Sequence, residues 1–220
     1  MAYLRSVNVG LPKVKDWAGI GRTSIDKRPA TGPVAVELLG LAGDQVSDTA
    51  HHGGPDQAVS AYAREDIDFW EGEIGRTIRD GQFGENLTTE GLDLNEAEVG
   101  SRWRIGSAEL EIALTRTPCN DFKGWMGESG YDNTAWVKRF AAAQRPGPYL
   151  RVLTPGTVTS GDEIHVVHVP GHGVTVRTMF LALTLRQDLL PELLRVPGLA
   201  EKARRRAEEN ALRMGSATGA

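Results

Sequence analysis

The sequence predicts a mainly β fold: a β-barrel with flanking helices, followed by a small C-terminal helical extension. Two observations carry that prediction. Short apolar-alternating runs, separated by Gly and Pro, recur through residues 1–170. Beyond Gly173 the alternation gives way to helical runs. Many short strands with few long helices between them favour a closed sheet over a doubly wound parallel one.

The elements follow in order. "YLRSVNVG" (3–10), "TSIDKRP" (23–29) and "PVAVELLG" (33–40) read as strands. Glycines and a proline interrupt "DQVSDTAHHGGPDQAVSAYA" (44–63). In 64–74, Ile67, Trp70 and Ile74 stand three and four apart, a helical stripe. "RWRI" (102–105) and "AELEIAL" (108–114) form a hairpin about Gly106-Ser107. The segment after Cys119 reads as irregular, and "YDNTAWVKRFAAAQ" (131–144) as a short helix. "RPGPYLRVL" (145–153) and "DEIHVVHV" (162–169) restore the strand pattern across the turn-rich "TPGTVTSGD" (154–162). The last helices, 174–196 and 199–214, are broken at Pro191 and Pro197-Gly198. Residues 1–170 thus form one β-rich domain, 171–212 two or three helices, and 213–220 a frayed tail.

Composition narrows the functional classes. Of 220 residues, 40% are hydrophobic and 25% charged, as in soluble globular chains. A net charge of −4 argues against a broad nucleic-acid surface. No apolar run approaches the ~20 residues that span a bilayer, and the N-terminus lacks the apolar stretch of a signal peptide. A single cysteine excludes an internal disulfide, so a cytoplasmic location is expected.

Three islands carry chemistry. In "HHGGPDQAV" (51–59), Gly53-Gly54 can take positive φ and bring backbone N–H groups close to an anion such as phosphate. His51 and His52, being adjacent, face opposite ways in extended backbone, so at most one serves a site. Taken alone, the island reads more readily as a Gly-Pro-Asp turn joining two elements. "QFGENLTTEG" (82–91) offers Glu85 and Asn86 to a heterocycle, or to a neighbouring loop. "TRTPCNDFKGW" (115–125) holds Cys119, a soft ligand and nucleophile stiffened by Pro118, with Arg116 and Lys123 nearby to hold an anion. A lone cysteine is also often buried and inert.

Other candidates fall away. No H-E-x-x-H, C-x-x-C, Walker or G-x-S-x-G pattern occurs. His165 and His168 fall on opposite faces of a strand-like run, and His172 reads as a loop residue. Trp103, Trp125 and Trp136 read as core. "KARRRAEEN" (202–210) reads as a solvated helical face.

Together and in this order the islands resemble the MOSC family, named for the C-terminal domain of molybdenum-cofactor sulfurases, and its stand-alone YiiM-like branch. The residues that carry the resemblance are "HGGPDQAV" (52–59), "FGENLTTEGL" (83–92), "VGSRWRIGSAELEI" (99–112), "RTPC" (116–119) and "YLRVLTPGTVTSGDEIHVV" (149–167). The resemblance implies a MOSC-type β-barrel and a molybdenum cofactor (molybdopterin), with no pyridoxal phosphate. It makes Cys119 the metal ligand. The phosphate of the cofactor then falls to Gly53, Gly54, Arg116 and Lys123, its pterin or the substrate to Glu85 and Asn86, and proton delivery to His52 or Asp56. The implied activity is reduction of N-hydroxylated small molecules, of the hydroxylaminopurine or amidoxime type, with electrons from a separate flavin or iron–sulfur protein. A sulfur carrier with a Cys119 persulfide, or a non-catalytic cofactor carrier, are the alternatives. Asn120 and Asp121 depart from the apolar segment usual after the cysteine in this branch.

Overall fold

In the computed structural model, residues 1–217 of the chain are described, with side chains through Met214. Alternating burial confirms the strand pattern. In β5 (Val34–Glu37) and β9 (Arg102–Ile105), buried residues alternate with exposed ones. The main sheet has eight strands. From one edge it runs β13 (Ile164–His168), β9, β10 (Ala108–Thr115), β11 (Pro148–Thr154), β7 (Val59–Ala63), β8 (Leu87–Glu90), β1 (Tyr3–Val9) and β4 (Arg28–Pro29). Every neighbouring pair is antiparallel except β7 and β8, which run parallel and are joined through α1 (Arg64–Ile74). Gly106-Ser107 forms the expected turn between β9 and β10. A small sheet of β5, β6 (Gly40–Leu41) and β12 (Gly156–Val158) lies beside the main one, and β2 (Lys13–Val14) pairs with β3 (Arg22–Thr23).

The expected barrel does not close. The sheet is mixed, with β13 and β4 as its edges. It curls far enough that Tyr3 bridges Glu163 and the Leu4 amide donates to the Asp162 carbonyl at 2.8 Å, but no ladder follows. The reason lies in β1. One side is taken by β8, and the other is divided between this short contact at Ala2–Leu4 and β4 at Asn8–Val9. Neither short contact continues into a seam of paired strands.

A second correction concerns the segment after Cys119. It is helical: α2 spans Asn120–Glu128, followed by α3 (Trp136–Ala143). Three apolar side chains, Phe122, Trp125 and Met126, stand at i, i+3 and i+4 and are all buried. They join Trp136 and Phe140 of α3, Trp70 of α1 and Tyr62 and Phe83 in an aromatic cluster. Trp70 and Trp136 lie 4.8 Å apart between ring centroids, as do Tyr62 and Phe83.

At the C-terminal end, α4 (Val176–Thr184), α5 (Leu190–Leu193) and α6 (Glu201–Ala217) follow. Leu190, Leu193, Ala203 and Ala207 share one apolar core with the sheet residues Leu4, Val59 and Leu150. Residues 218–220 of the expected tail lie outside the described residues. Among the described residues, no helix is long and apolar enough to cross a membrane.

Trp136 touches four aromatic neighbours, Trp70, Phe83, Phe122 and Phe140. Trp136→Ala is expected to lower stability by about 3–5 kcal/mol in urea denaturation. A loss below about 1 kcal/mol would show that the cluster does not seat α2.

Candidate functional site

The three islands converge on one cleft of about 820 Å³, counting space open to solvent. Its walls come from segments 22–27, 44–48, 52–60, 84–86 and 116–121, and from Tyr149 on β11. His52, Gly53, Asn86, Arg116 and Cys119 all line it.

Cys119 is the N-cap of α2. Its backbone is extended, at φ −134°, and its half-buried sulfur accepts the Phe122 amide at 3.4 Å. The N-terminal end of a helix, with an N–H donor aimed at the sulfur, suits a thiolate that ligates a metal. Cys119 packs at the margin of the aromatic cluster and faces the cleft on its other side.

Arg116 donates its backbone N–H to the Gly147 carbonyl at 3.1 Å. Its guanidinium lies over the Phe122 ring, 4.2 Å from the centroid. Among the described residues its side chain makes no ion pair or hydrogen bond, and the buried Glu85 carboxylate acts on it only through space, so its guanidinium N–H groups can receive an anionic ligand. His52 donates its backbone N–H to the Asp48 carbonyl at 2.9 Å, which fixes its place in the loop. Burial pushes its pKa below the ordinary value of 6.5, and the positive charge of Arg116 lowers it further. His51 points outward and pairs with Asp48 at 2.9 Å. Gly53, at φ +80°, adopts a backbone that side chains rarely tolerate.

The floor is a buried polar network. The Asn86 side chain accepts from the Ser60 amide and hydroxyl, both at 3.1 Å. It donates to the Asn8 carbonyl at 3.2 Å and to Asp44 at 2.9 Å. Asp44 also accepts from the Gly10 amide at 2.7 Å and pairs with the buried Lys27 ammonium. Burial holds Lys27 below the usual lysine range despite that pairing. Asn86 thus lines the cleft while all its hydrogen bonds are made within the protein. Gly84, at φ +75°, is required next to it, because a Cβ there would sit 2.8 Å from Ile25.

Four sequence candidates lie away from the cleft. Gly54 is exposed at the N-terminus of a short turn. Asp56 accepts two bonds from Arg151, at 2.8 and 2.6 Å, in a bridge that continues to Glu111. Glu85 is buried outside the cleft lining, accepting from the Gly81 amide and the Thr88 hydroxyl, and burial raises its pKa. Lys123 is exposed on α2. Conversely, Arg22, Lys27, Asp44, Gln57, Ser60 and Tyr149 reach the cleft without having been singled out in the sequence. His172 is structural: it accepts from the Val174 amide, so its other ring nitrogen carries the proton and donates to the Val99 carbonyl.

A sequence profile of the MOSC domain matches residues 48–165, the span that supplies His52, Asn86, Arg116 and Cys119. The chain belongs to the MOSC domain family. Relatives within it include the uncharacterized protein YflK of Bacillus subtilis, 31% identical over 173 residues, or 78% of this chain and 76% of the relative. YiiM of Escherichia coli is 32% identical over 164 residues, 73% of this chain and 71% of its own. Two solved structures share the fold. YiiM from Geobacillus stearothermophilus superposes with a TM-score of 0.78 at 24% identity, covering 96% of this chain and 99% of that one. YiiM from Escherichia coli gives 0.74 at 24%, covering 96% and 93%.

The MOSC family is associated with molybdenum-cofactor binding, and the residues present fit that group. Among the described residues no set of three or more His, Cys, Asp and Glu side chains could hold a metal on its own. A metal held at Cys119 would need its remaining ligands from outside the protein, as a dithiolene-bound metal would bring them. The unpaired Arg116 and the bare Gly53 backbone complement a phosphate.

The network makes a stability prediction. Asp44→Ala leaves the Lys27 charge buried without its partner and is expected to cost about 3–5 kcal/mol in urea denaturation. The double variant Lys27→Met/Asp44→Leu should recover only the part due to the buried charge, because the Gly10 and Asn86 amides still lack their acceptor, and equal losses in both would show that the ion pair is not the origin.

Proposed function

We propose that the cleft binds the molybdenum cofactor with Cys119 as the protein ligand, and that the holoprotein reduces N-hydroxylated compounds. The observation that carries this reading is the convergence of the Cys119 sulfur, the unpaired Arg116 guanidinium and His52 on one cleft. The net reaction converts R–NH–OH, two electrons and two protons into R–NH₂ and water. The cofactor supplies the two-electron chemistry that breaks the N–O bond. The chain holds it through Cys119 and orients its phosphate with Arg116 and the Gly53 backbone. Lys27 and Asp44, paired with each other, line the same wall and hold its shape.

His52 is the proton donor in this scheme. It lines the cleft beside Cys119, and Asp56, the other sequence candidate, is engaged by Arg151. The Asn86 network keeps the floor rigid so that substrate and sulfur hold their positions. Electrons come from a separate flavin or iron–sulfur protein, since a chain with one cysteine has no ligand set for a cluster of its own.

Two outcomes are expected. Protein made in a cofactor-proficient host carries near-stoichiometric molybdenum by elemental analysis, while Cys119→Ser loses most of it and falls at least about 100-fold in reduction of hydroxylaminopurine. A serine variant with wild-type metal content and rate would overturn the assignment. The pH profile tests His52. Only its protonated form donates, so kcat/KM should decline as pH rises through a pKa below 6.5, and His52→Gln should abolish that limb. An unchanged limb in the variant would remove His52 from proton delivery.

A further inference from the structure

The cleft continues past His52 into a second groove. His52, Gln57, Thr117 and Tyr149 line both spaces, so a ligand seated near Cys119 can extend from one into the other. The far wall of the groove is α6, which contributes Lys202, Arg205 and Arg206. These stand at i, i+3 and i+4, on one face of the helix, while Ala203 and Ala207 are buried in the core. The MOSC profile ends at residue 165, so this wall is added to the family domain rather than part of it.

The positive charge on that wall is largely uncompensated. Lys202 donates to a neutral acceptor, the His51 carbonyl, at 3.3 Å. Arg205 meets Glu209 at 4.0 Å with both side chains mostly exposed, a pair too solvated to neutralise it. Arg206 has no hydrogen-bond or ion-pair partner among the described residues. Among the described residues Glu209 is the one acidic residue lining the groove. Two arginine forks and an ammonium around one groove match the oxygens of a phosphate ester, which each arginine can grip through two parallel bonds.

We propose that this groove is a phosphate subsite for the substrate, so that the preferred substrate is a phosphorylated N-hydroxylated molecule of the nucleotide class. Its N–OH end lies toward Cys119 and its phosphate over α6. The inference rests on the reductase reading for the direction of the substrate, while the phosphate site itself can be tested without turnover. The other source of a phosphate in this cleft is the cofactor, and the experiment separates the two.

The holoprotein and its Arg205→Ala/Arg206→Ala variant are compared in two ways, the replaced side chains being exposed and outside the core. Steady-state reduction is measured with hydroxylaminopurine and with its ribonucleoside monophosphate, and AMP binding is measured by equilibrium dialysis. The expected result is a rise in KM for the monophosphate of at least about tenfold, the loss of one or two charge-assisted hydrogen bonds, with KM for the free base unchanged. AMP binding should weaken by a similar factor, and molybdenum content should stay at the wild-type level. Equal KM changes for base and monophosphate, or AMP binding that is absent or insensitive to the substitutions, would overturn the proposal. Loss of molybdenum from the variant would assign the groove to the cofactor and overturn it as well. Should neither compound be reduced by the wild-type holoprotein, the reductase reading fails, and the AMP measurement still decides whether the groove binds phosphate.

Discussion

The hydrogen bonds of one buried amide hold the cleft together. Asn86 sits at the entry to β8, and its side chain reaches Ser60 on β7, Asn8 on β1 and Asp44 in the loop after β6. Asp44 in turn grips Gly10 and Lys27. Loops that are far apart in the chain are thereby fixed to a single point. In a low-dielectric interior each of these bonds is strong, and each would be costly to leave unmade. A cleft walled by loops needs such an anchor, because loops have no ladder of their own to set their shape.

The thiol is positioned by a different force. Phe122, Trp125 and Met126 bury one face of α2 in the aromatic cluster, and this sets where the helix begins. Cys119 is presented at that beginning, with Arg116 stacked on Phe122 alongside. Polar bonds thus shape the floor of the site and apolar packing places its reactive atom. The curl of the sheet brings the two together, since β7, β10 and β11 are neighbours and each contributes to the cleft or leads into it. The C-terminal helices share the apolar core, which is how α6 comes to overlook the same opening.

Much of this was legible in the chain. The helix at 64–74, the hairpin at Gly106-Ser107 and the strands at 34–37 and 164–168 all follow from local periodicity. The ordered islands around His52, Asn86 and Cys119 pointed to the MOSC family, and the profile match agrees. The barrel was not legible, because closure depends on whether two distant strand edges pair over their full length. Nor was α2, whose two glycines, Gly124 and Gly127, weaken the helical signal although both accommodate close neighbours, Trp17 and Asn133. Lys27 and Asp44 carried no mark in the sequence that they would be buried together, since a lysine and an aspartate in turn-rich segments ordinarily face water.

The sequence by itself determined the local elements, the order of the three islands and the family. These depend on periodicity, turn chemistry and motif spacing, all of which are properties of neighbouring residues. Only the tertiary structure decided which member of each island faces the cleft: His52 and not His51, Asn86 and not Glu85, Arg116 and not Lys123. Adjacent side chains point in different directions, but which direction is inward depends on what packs against each segment. That is settled by contacts between residues far apart in the chain, and no local pattern contains them.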